Sequence, residues 1–541
     1  MALGGVEDLD RGHRLLLEYG LQLQALVNAD PNINEARWLE SNFTTHHFVT
    51  AHWTAYRSDS PFRPWARWGT PDPDDIDYDT TYWVTASHFD ELELSPGNIQ
   101  FHATWLQGMR DRFPQIISHT TQNGSLGGTM QMLQDYMAAG QPDLLFFDAY
   151  NFTSSHRWDG GSPTGLYDVM GRARTAALAG NDGSGTRPIP FGQWIQTYHV
   201  GGTDGVPGSG YVLSESELTV QYFASWAFGY KAIAAFTYLS HSGGESVASV
   251  FFEGGDPNPT PLFHRAKELN RQSLNLAPAL LRLVSTDLRF VRGQHKETWW
   301  IYEWAEDNNL PDYALDWDSG ADPYMTNISA TNLGGKNDGY RGDVIVGYFE
   351  PLDEDFDGPS FEDEIYFMIT NGLTDSGGTS LETEQRIRMD FDFGGSGISQ
   401  LQWLDRDSGE IMDVALEHDG GSQYHLNWNL LGGEGDLFKY DTGAPFVGLP
   451  GLDGDVNGDG FVGGDDLTII LEYWGQSVTG REQGDLNGDF FVGGDDYSEV
   501  LTYWGTGLIL PQSAITAIPE DATLGLLLPG GLALVRRKRA S

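Results

Sequence analysis

Seven short apolar runs recur along the first 285 residues, and amphipathic stretches separate several of them. The runs are LQLQALV (21–27), FTTHHFVTAHW (43–53), YWVTASHF (82–89), QIISHTT (115–121), DLLFFDAY (143–150), PFGQWIQTY (190–198) and AIAAFTYLS (232–240). The helical stretches between them include 101–113, 127–137, 165–178 and 214–230. Serial strand-then-helix units with parallel crossovers form either an open doubly wound sheet or a (β/α)8 TIM barrel. Seven recognisable strands and no glycine-rich phosphate loop favour the barrel, with its eighth strand in the first residues or between residues 57 and 81.

Length and charge restrict the number of domains and the class of partner. A chain of 541 residues exceeds what one hydrophobic core usually supports, so several domains are expected. The 77 acidic and 31 basic residues leave a formal charge of -46, which repels phosphate backbones and anionic lipid headgroups. Nucleic acid is therefore excluded as a partner. The absence of cysteine excludes disulfides, thiolate zinc sites and a cysteine nucleophile.

The segment 286–450 has a different pattern, because its apolar residues alternate with polar ones. GDVIVGYFEP (342–351), QRIRMDFDF (385–393) and YHLNWNLLGGEGDLFKY (424–440) are examples, separated by Gly, Asp and Ser turns. This period of two is typical of a β-sandwich. No cluster in it suggests chemistry, so we expect a structural role, with carbohydrate binding as the alternative. The barrel is accordingly predicted to cover residues 1–285.

Two nearly identical twelve-residue blocks follow, 30 residues apart: DVNGDGFVGGDD (455–466) and DLNGDFFVGGDD (485–496). Ca²⁺ requires side-chain oxygens at loop positions 1, 3, 5 and 12 and a backbone carbonyl at position 7. The predicted calcium ligands are Asp455, Asn457, Asp459, Phe461 and Asp466 in the first loop, and Asp485, Asn487, Asp489, Phe491 and Asp496 in the second. Each block precedes a short helical stretch that ends in Tyr-Trp-Gly.

The duplicated loop and helix resemble a type I dockerin over residues 451–505. Position 6 is Gly460 in the first loop but Phe490 in the second, where a sharp turn favours glycine. We therefore expect weaker binding at the second site. The resemblance implies a cohesin-like protein partner; the alternative is a module that only stabilises a surface protein.

The last segment, 506–541, resembles the PEP-CTERM sorting signals of exported Gram-negative proteins. Pro519 and Glu520 precede an apolar run from Ala522 to Val535, and a basic cluster 536–539 follows. The chain departs from that pattern at Asp521, where a second proline is expected. The resemblance implies export to the cell surface or beyond, with transient membrane association through the tail. The first residues lack a basic, then apolar signal pattern, so we expect the N-terminal signal to be missing from this chain.

Several chemically capable side chains follow the apolar runs of the predicted barrel. Active sites of such barrels lie at the carboxyl ends of the strands. The candidate acids there are Asp90, Glu91 and Asp148, and the candidate substrate-binding residues are His52, Trp53, His119, Tyr150, Gln193, Trp194, Gln196 and Tyr238. Paired carboxylates among aromatic rings are what glycoside hydrolysis requires, because one protonates the leaving oxygen and the other attacks carbon or activates water. The hypothesis assigns Glu91 as general acid and Asp148 as second carboxylate, with no cofactor for catalysis.

The order of these segments over residues 14–450 is similar to that of (β/α)8 glycoside hydrolases of the β-galactosidase-like clan. This resemblance implies an acid/base after strand four, which maps onto Glu91, and a glutamate nucleophile after strand seven. The chain instead has Gln193 and Gln196 in FGQWIQ, and glutamine cannot act as a nucleophile. Either Asp148 supplies the second carboxylate, or the chain uses another mechanism, or it does not catalyse. Carboxyl groups about 5 Å apart would give retention and about 6.5–9.5 Å inversion.

Each candidate also has a structural interpretation. Asp90 and Glu91 are equally compatible with a loop cap or a surface pair, and His52 and His119 with hydrogen bonding at the top of the barrel. Glu215 and Glu217 are predicted to cap a helix that begins after Ser214. The two competing functions are a catalytically silent carbohydrate-binding barrel and a calcium-dependent surface scaffold.

Overall fold

The computed structural model describes residues 85–91, 93–112, 114, 117–123, 128–152, 164–199, 213–236, 248–251, 259–296, 303–304, 315–352, 364–442, 446–447, 454, 456, 462–478, 483–486 and 491–505. The chain divides into two compact units, Met1–Leu449 and Pro450–Ser541. The predicted strands at 21–27 and 43–53, the residues His52, Trp53 and Tyr238, and the tail 506–541 lie outside the described residues.

A parallel sheet flanked by helices forms the first part of the larger unit. Its elements are β1 (Thr85–Asp90), α1 (Pro96–Arg112), β2 (Ile117–Gln122), α2 (Met130–Gly140), β3 (Leu145–Asp148), α3 (Thr164–Ala179), β4 (Phe191–Gln196), β5 (Tyr198–His199), α4 (Glu215–Phe228), β6 (Ala232–Phe236), β7 (Ala248–Ser249) and α5 (Pro261–Leu280). The five main strands pair in parallel in the order β1-β2-β3-β4-β6, and β5 pairs with β7.

The strand order decides between the two predicted sheet types. A doubly wound sheet reverses its order at a switch point, whereas barrel strands follow one another in chain order. The five main strands described in the structure show no reversal, and α1 to α4 pack together on one face of the sheet in one core. The sheet is therefore singly wound, as a barrel requires, and closure with eight strands stays a prediction.

Helix α4 is buried from Ser216 to Phe228, because it lies between the parallel sheet and the β-sheets that follow. Ser214 caps it by accepting from the Glu217 backbone N–H, and the Glu217 carboxylate accepts from the Ser214 backbone N–H at 2.8 Å. The predicted capping role of Glu217 is confirmed. Gly229, with φ at 94°, ends the helix in the left-handed conformation that glycine tolerates.

The described residues between 283 and 440 form a two-sheet sandwich and a separate two-stranded sheet. The strands of this segment are β8 (Leu283–Val291), β9 (His295–Lys296), β10 (Glu303–Trp304), β11 (Leu315–Asp316), β12 (Met325–Asn332), β13 (Val344–Pro351), β14 (Tyr366–Asn371), β15 (Gln385–Asp392), β16 (Gln400–Leu404), β17 (Ile411–Ala415), β18 (Glu417–Gly420), β19 (Gln423–Leu430) and β20 (Gly435–Tyr440). The larger sandwich sheet has the order β11-β8-β13-β14-β20-β16-β17, and the smaller has β12-β15-β19-β18. Strands β9 and β10 pair antiparallel in the separate sheet. The sandwich prediction is confirmed, although β8 begins before residue 286.

The larger sandwich sheet is covered on both faces, which the period-two pattern did not predict. Strand β15 alternates between buried and exposed or half-buried residues as expected, but β14 and β20 are buried throughout. One face of this sheet packs on the smaller sheet and the other on α4. A Cβ at Gly347 would lie 2.0 Å from the Ala227 carbonyl oxygen, so glycine is what lets β13 approach the helix this closely.

A buried ionic network also joins the helices to the sandwich. Arg265 of α5 contacts Glu434 at 2.8 Å, and Arg406, before β17, contacts Glu434 at 2.7 Å and also Asp436. Both carboxylate side chains are less than 5% exposed. The Arg406 guanidinium also lies 5.7 Å from the ring centre of Phe223 on α4.

Replacing Arg406 with alanine is expected to lower the free energy of unfolding by about 3–5 kcal/mol, because buried carboxylates lose their cation. Arg271→Ala is the matched control, since Arg271 pairs with Asp407 at the surface and is expected to contribute about 0–1 kcal/mol. Urea denaturation of both variants measures the difference. Equal effects would show that the network is not a stabilising link.

Candidate active site

Alternate residues of the parallel strands face opposite sides of the sheet. The helix side is the face that packs against α1 to α4, and the inner side is the opposite face, so each candidate residue lies on one or the other. On the helix side, Thr120 Oγ1 lies 2.7 Å from the Tyr136 hydroxyl of α2, and Gln193 Nε2 donates to Ser225 Oγ of α4 at 2.7 Å. On the inner side, the Phe146 and Trp194 rings meet edge to face at 5.7 Å. Only inner-side residues near the strand ends can line the mouth of a barrel.

Three acidic candidates lie at the carboxyl edge of the sheet. Asp148 is the last residue of β3, is 6% exposed, and is in register with Trp194 on β4. Glu91 directly follows β1 and is exposed. Asp90 is in register with Thr121 after an irregularity in the pairing of β1 with β2. The parallel sheet therefore brings all three positions to one edge.

The backbone of Glu91 has an unusual conformation. Its φ is 51°, in the left-handed region, and its N–H donates to the Thr121 carbonyl oxygen at 3.1 Å. A residue with a Cβ in this region carries strain of about 1–2 kcal/mol, and such strain concentrates at functional sites. The turn that follows β1 thus holds Glu91 out of the strand path, at the cost of local stability.

Glu91→Gly is expected to be more stable than Glu91→Ala by about 1 kcal/mol, because glycine has no Cβ to strain at this φ. Both substitutions remove the carboxylate, so the alanine variant isolates the backbone effect. Chemical denaturation of the two variants side by side is the measurement. Equal stabilities would mean that the backbone at position 91 is not strained.

An aromatic cluster adjoins Asp148 at the same edge. The Tyr150 ring stacks on Phe236 at 5.4 Å with an interplanar angle of 26°, and Tyr198 lies 5.3 Å from Tyr150 and 5.7 Å from Phe236. All three rings are half-buried, as is Trp194, whose indole N–H donates to Thr121 Oγ1 at 3.3 Å. Partly exposed rings at a sheet edge offer apolar faces on which a ligand can stack. Phe236 was not predicted, because within its apolar run it reads as core.

The two glutamines of FGQWIQ lie on opposite faces of β4, because they are three residues apart, and Gln196 shares the inner face with Trp194. Gln193 points to the helix side and binds Ser225. Gln196 is fully buried, and its side-chain amide bonds to the backbone of Phe152. The predicted substrate contacts of these two residues are therefore replaced by internal hydrogen bonds. The alternation of strand side chains turns Gln193 away from the mouth, whereas Gln196 lies on the inner side and is engaged by its bonds to Phe152.

His119 is also too deep to meet a substrate. It is fully buried on the inner side of β2, with its ring 5.1 Å from that of Phe146. Burial lowers the pKa of His119 to about 3, so the imidazole is neutral near pH 7. The alternative interpretation of His119, hydrogen bonding at the top of the barrel, stays a prediction.

Lys231 is a buried amine that lies at the opposite edge of the sheet from the acidic candidates. Burial lowers its pKa to about 7, and strongly shifted pKa values often mark functional groups. Yet Lys231 immediately precedes β6, at the amino edge of the sheet, and its ammonium donates to the carbonyl oxygens of Leu280 and Leu283. The Lys231 ammonium therefore caps the C-terminal end of α5. It lies at the amino-terminal face of the strands, where residues of such folds usually contribute to stability.

The smaller unit contains two repeats with matching geometry. Its helices are α6 (Gly464–Glu472) and α7 (Gly494–Thr502). In the first turn of α6, the Asp466 carboxylate accepts the backbone N–H groups of Val456 and Gly463, each at 2.7 Å. In the first turn of α7, the Asp496 carboxylate accepts those of Leu486 at 2.8 Å and Gly493 at 2.7 Å.

Reciprocal backbone hydrogen bonds also join the two repeats. Gly475, after α6, donates to the Val492 carbonyl oxygen of the second loop, and Gly505, after α7, donates to that of Val462 in the first loop, each at 2.9 Å. Their shared core includes six buried residues: Val456, Val462, Ile470, Val478, Val492 and Val500. The repeats therefore form one folding unit.

The predicted calcium ligands fall partly outside the described residues. Asp455, Asn457, Asp459, Phe461, Asn487 and Asp489 lie outside them, whereas Asp466, Asp485, Phe491 and Asp496 lie within them. Among the described residues, no three His, Asp or Glu side chains converge on a possible metal position. No described helix is long and apolar enough to cross a membrane.

No family model and no curated protein matches this chain. Similar solved structures include an α-amylase from Geobacillus thermoleovorans, with 11% identity, a TM-score of 0.31, and coverage of 66% of this chain and 60% of that chain. A rhamnosidase from Novosphingobium sp. PP1Y has 9% identity, a TM-score of 0.36, and coverage of 63% and 38%. A family 5 glycoside hydrolase from Bacteroides vulgatus has 10% identity, a TM-score of 0.32, and coverage of 68% and 73%.

This chain thus spans less than two thirds of the amylase and of the rhamnosidase. These structural neighbours are glycoside hydrolases, but TM-scores this low carry no argument about a shared site. The chemistry of the carboxyl edge therefore rests on its own residues.

Proposed function

We propose that the parallel-sheet part of this chain is a glycoside hydrolase acting on an oligo- or polysaccharide. The observation that carries this proposal is the carboxyl edge of the sheet, where Glu91 follows β1, Asp148 ends β3, and a half-buried aromatic cluster surrounds Tyr150, two residues after Asp148. A carboxylate pair and stacking surfaces are the two requirements of glycosidic bond hydrolysis.

The spacing of the strands is compatible with this chemistry. Strands β1 and β3 are separated by β2 alone, which corresponds to about 10 Å between their backbones. Side chains that extend from both strands toward a common substrate bring their carboxyl groups closer than that. A sugar ring or a water molecule fits between carboxyl groups at such separations.

The two acids have different surroundings, which supports different roles. Glu91 is exposed at a strained turn, where it can reach a leaving-group oxygen and give it a proton. Asp148 is nearly buried and is in register with Trp194 on the neighbouring strand. It is suited to act on the anomeric carbon, either directly or through a water. In the direct case, the glycosidic bond breaks as the Asp148–carbon bond forms, and water later cleaves that ester.

A silent carbohydrate-binding barrel is the competing function. It is favoured by the absence of a glutamate in FGQWIQ, where the resemblance implied a nucleophile. Gln196, however, is buried and bonds to the backbone of Phe152, so this glutamine has a structural role of its own. A glutamine there is compatible with catalysis by Asp148.

The C-terminal module is proposed to bind two Ca²⁺ ions and to dock the protein to a cohesin-like partner. Pairs of exposed apolar residues support a docking role, since the repeats present equivalent positions: Leu471 and Leu501 are 57% and 47% exposed, and Trp474 and Trp504 are both 48% exposed. Exposed apolar side chains of this size commonly mark interaction surfaces. Export, and a sorting tail in 506–541, belong to the same proposal.

The test is a screen of the full chain against aryl glycosides and plant or algal polysaccharides, read as released aglycone or reducing ends. Turnover would support the hydrolase. Binding of a glycan without turnover would favour the silent barrel. Calcium-dependent capture of a partner with neither glycan binding nor turnover would favour the scaffold.

A further inference from the structure

The side-chain amide of Gln196 completes a hydrogen-bond pair with the loop that carries Tyr150. Gln196 Oε1 accepts the Phe152 backbone N–H at 3.0 Å, and Gln196 Nε2 donates to the Phe152 carbonyl oxygen at 2.7 Å. This is how a neighbouring β-strand would pair with Phe152. The amide of Gln196 thus holds the chain four residues after Asp148.

A second glutamine does the same for Gln196 itself. Gln221 Oε1, on α4, accepts the Gln196 backbone N–H at 2.7 Å, and its Nε2 donates to the Gln196 carbonyl oxygen at 3.2 Å. The Gln221 amide also donates to the Glu217 carbonyl oxygen at 3.2 Å. Both glutamines are at most 1% exposed, so each bond is shielded from water.

Helix α4 is a rigid base for this arrangement. The Ser214 and Glu217 capping box closes its first turn, and the sandwich packs against its other side. A Cβ at Gly433 would lie 2.5 Å from the Val220 nitrogen, one residue before Gln221. The contacts therefore run without a gap from the sandwich through α4, Gln221 and Gln196 to Phe152.

We propose that Gln196 and Gln221 are positioning residues that hold the Asp148–Phe152 segment in place for the reaction. This inference rests on the proposed function, because it assigns the two glutamines a role in placing Asp148 and Tyr150 against a glycan. It also explains why an amide stands at position 196. A carboxylate accepts hydrogen bonds but cannot donate one to the Phe152 carbonyl oxygen.

The test compares Gln196→Glu with Gln196→Ala across pH, using kcat per folded molecule. In Gln196→Glu at neutral pH, a carboxylate faces the Phe152 carbonyl oxygen, and the displaced segment is expected to lower kcat about 100-fold. Protonation restores one donor and one acceptor, so the loss should shrink as pH falls. Burial raises the pKa of the introduced carboxyl group, which places this recovery above the usual range of glutamate. Gln196→Ala should show a loss that does not depend on pH.

Gln272→Glu is the matched control, since Gln272 is similarly buried, lies on α5 and bonds to Asp407 instead of the segment. It should lower stability without a pH-dependent change in kcat per folded molecule. Hydrogen exchange at the Phe152 amide gives a second readout, which should quicken in both Gln196 variants only.

The outcomes separate the two proposals. An active wild type in which Gln196→Glu keeps full kcat, or loses it equally at every pH, would overturn the positioning role and leave the hydrolase standing. A wild type that binds glycan without turnover, or that has neither property, would overturn the proposed function and the positioning role with it.

Discussion

Glu91→Gln and Asp148→Asn are each expected to lower kcat/KM by about 10²–10⁴-fold, because each removes a proton-transferring or nucleophilic carboxylate and leaves the side chain nearly the same shape. The measurement is initial rate against substrate concentration on the best glycoside found in the screen, over a range of pH. The two losses should differ in their pH dependence. Without Glu91, the decline of activity at high pH should disappear, and without Asp148 the decline at low pH should disappear.

Asp135→Asn serves as the control for these variants, because Asp135 is an exposed carboxylate on α2 that accepts from Gln131. Its rate should match that of the wild type. Unfolding temperatures of all three variants should stay close to the wild-type value, which shows that lost turnover is not lost folding. Turnover that survives both active-site substitutions would discard this pair of carboxylates.

Removal of calcium is expected to unfold the C-terminal module, which has only a small buried core of valines and one isoleucine. Domains of this size have only marginal stability from their hydrophobic core, and this chain has no cysteine with which a disulfide could add to it. A chelator should therefore abolish the calorimetric transition of residues 450–505, and added Ca²⁺ should restore it. The second loop, with Phe490 at position 6, should saturate at the higher calcium concentration.

Asp466→Ala and Asp496→Ala should unfold the module even with calcium present. Each carboxylate accepts two backbone N–H groups in its repeat, and two such charged hydrogen bonds together contribute about 3–6 kcal/mol. That equals the whole expected stability of a module this small. Because backbone hydrogen bonds join the two repeats, either substitution should destabilise both repeats.

Asp495→Ala is the matched control for the module, since Asp495 is exposed and adjoins Asp496. It should leave the transition and the calcium titration nearly unchanged. A module that stays folded in chelator, or that tolerates Asp466→Ala, would contradict a metal-dependent fold.

Local patterns predicted the five main strands of the parallel sheet and helices α1 to α4, but not α5. The apolar runs at 82–89, 115–121, 143–150, 190–198 and 232–240 all correspond to strands, and the four helical stretches to α1 to α4. The capping box at Ser214 was readable because it depends on residues three apart. The sandwich followed from its period of two.

The candidate site was only partly readable. Glu91 and Asp148 were found because each ends or follows an apolar run, and parallel strands end at one edge. The surroundings of Gln193, Gln196 and His119 were not, because the face on which Gln193 lies depends on strand register, and the burial of Gln196 and His119 depends on packing by other segments. Gln221 had no signal, since a helical glutamine is normally exposed.

The sequence by itself determined which residues form strands, helices and repeats, since hydrophobic periodicity, turn residues and caps act over a few neighbours. Tertiary structure decided what those residues do. It placed α4 between two sheets, turned Gln196 inward to hold Phe152, and put Glu91 in a left-handed turn beside β2. These outcomes arise from contacts between segments far apart in the chain, where burial and hydrogen bonding outweigh local preference.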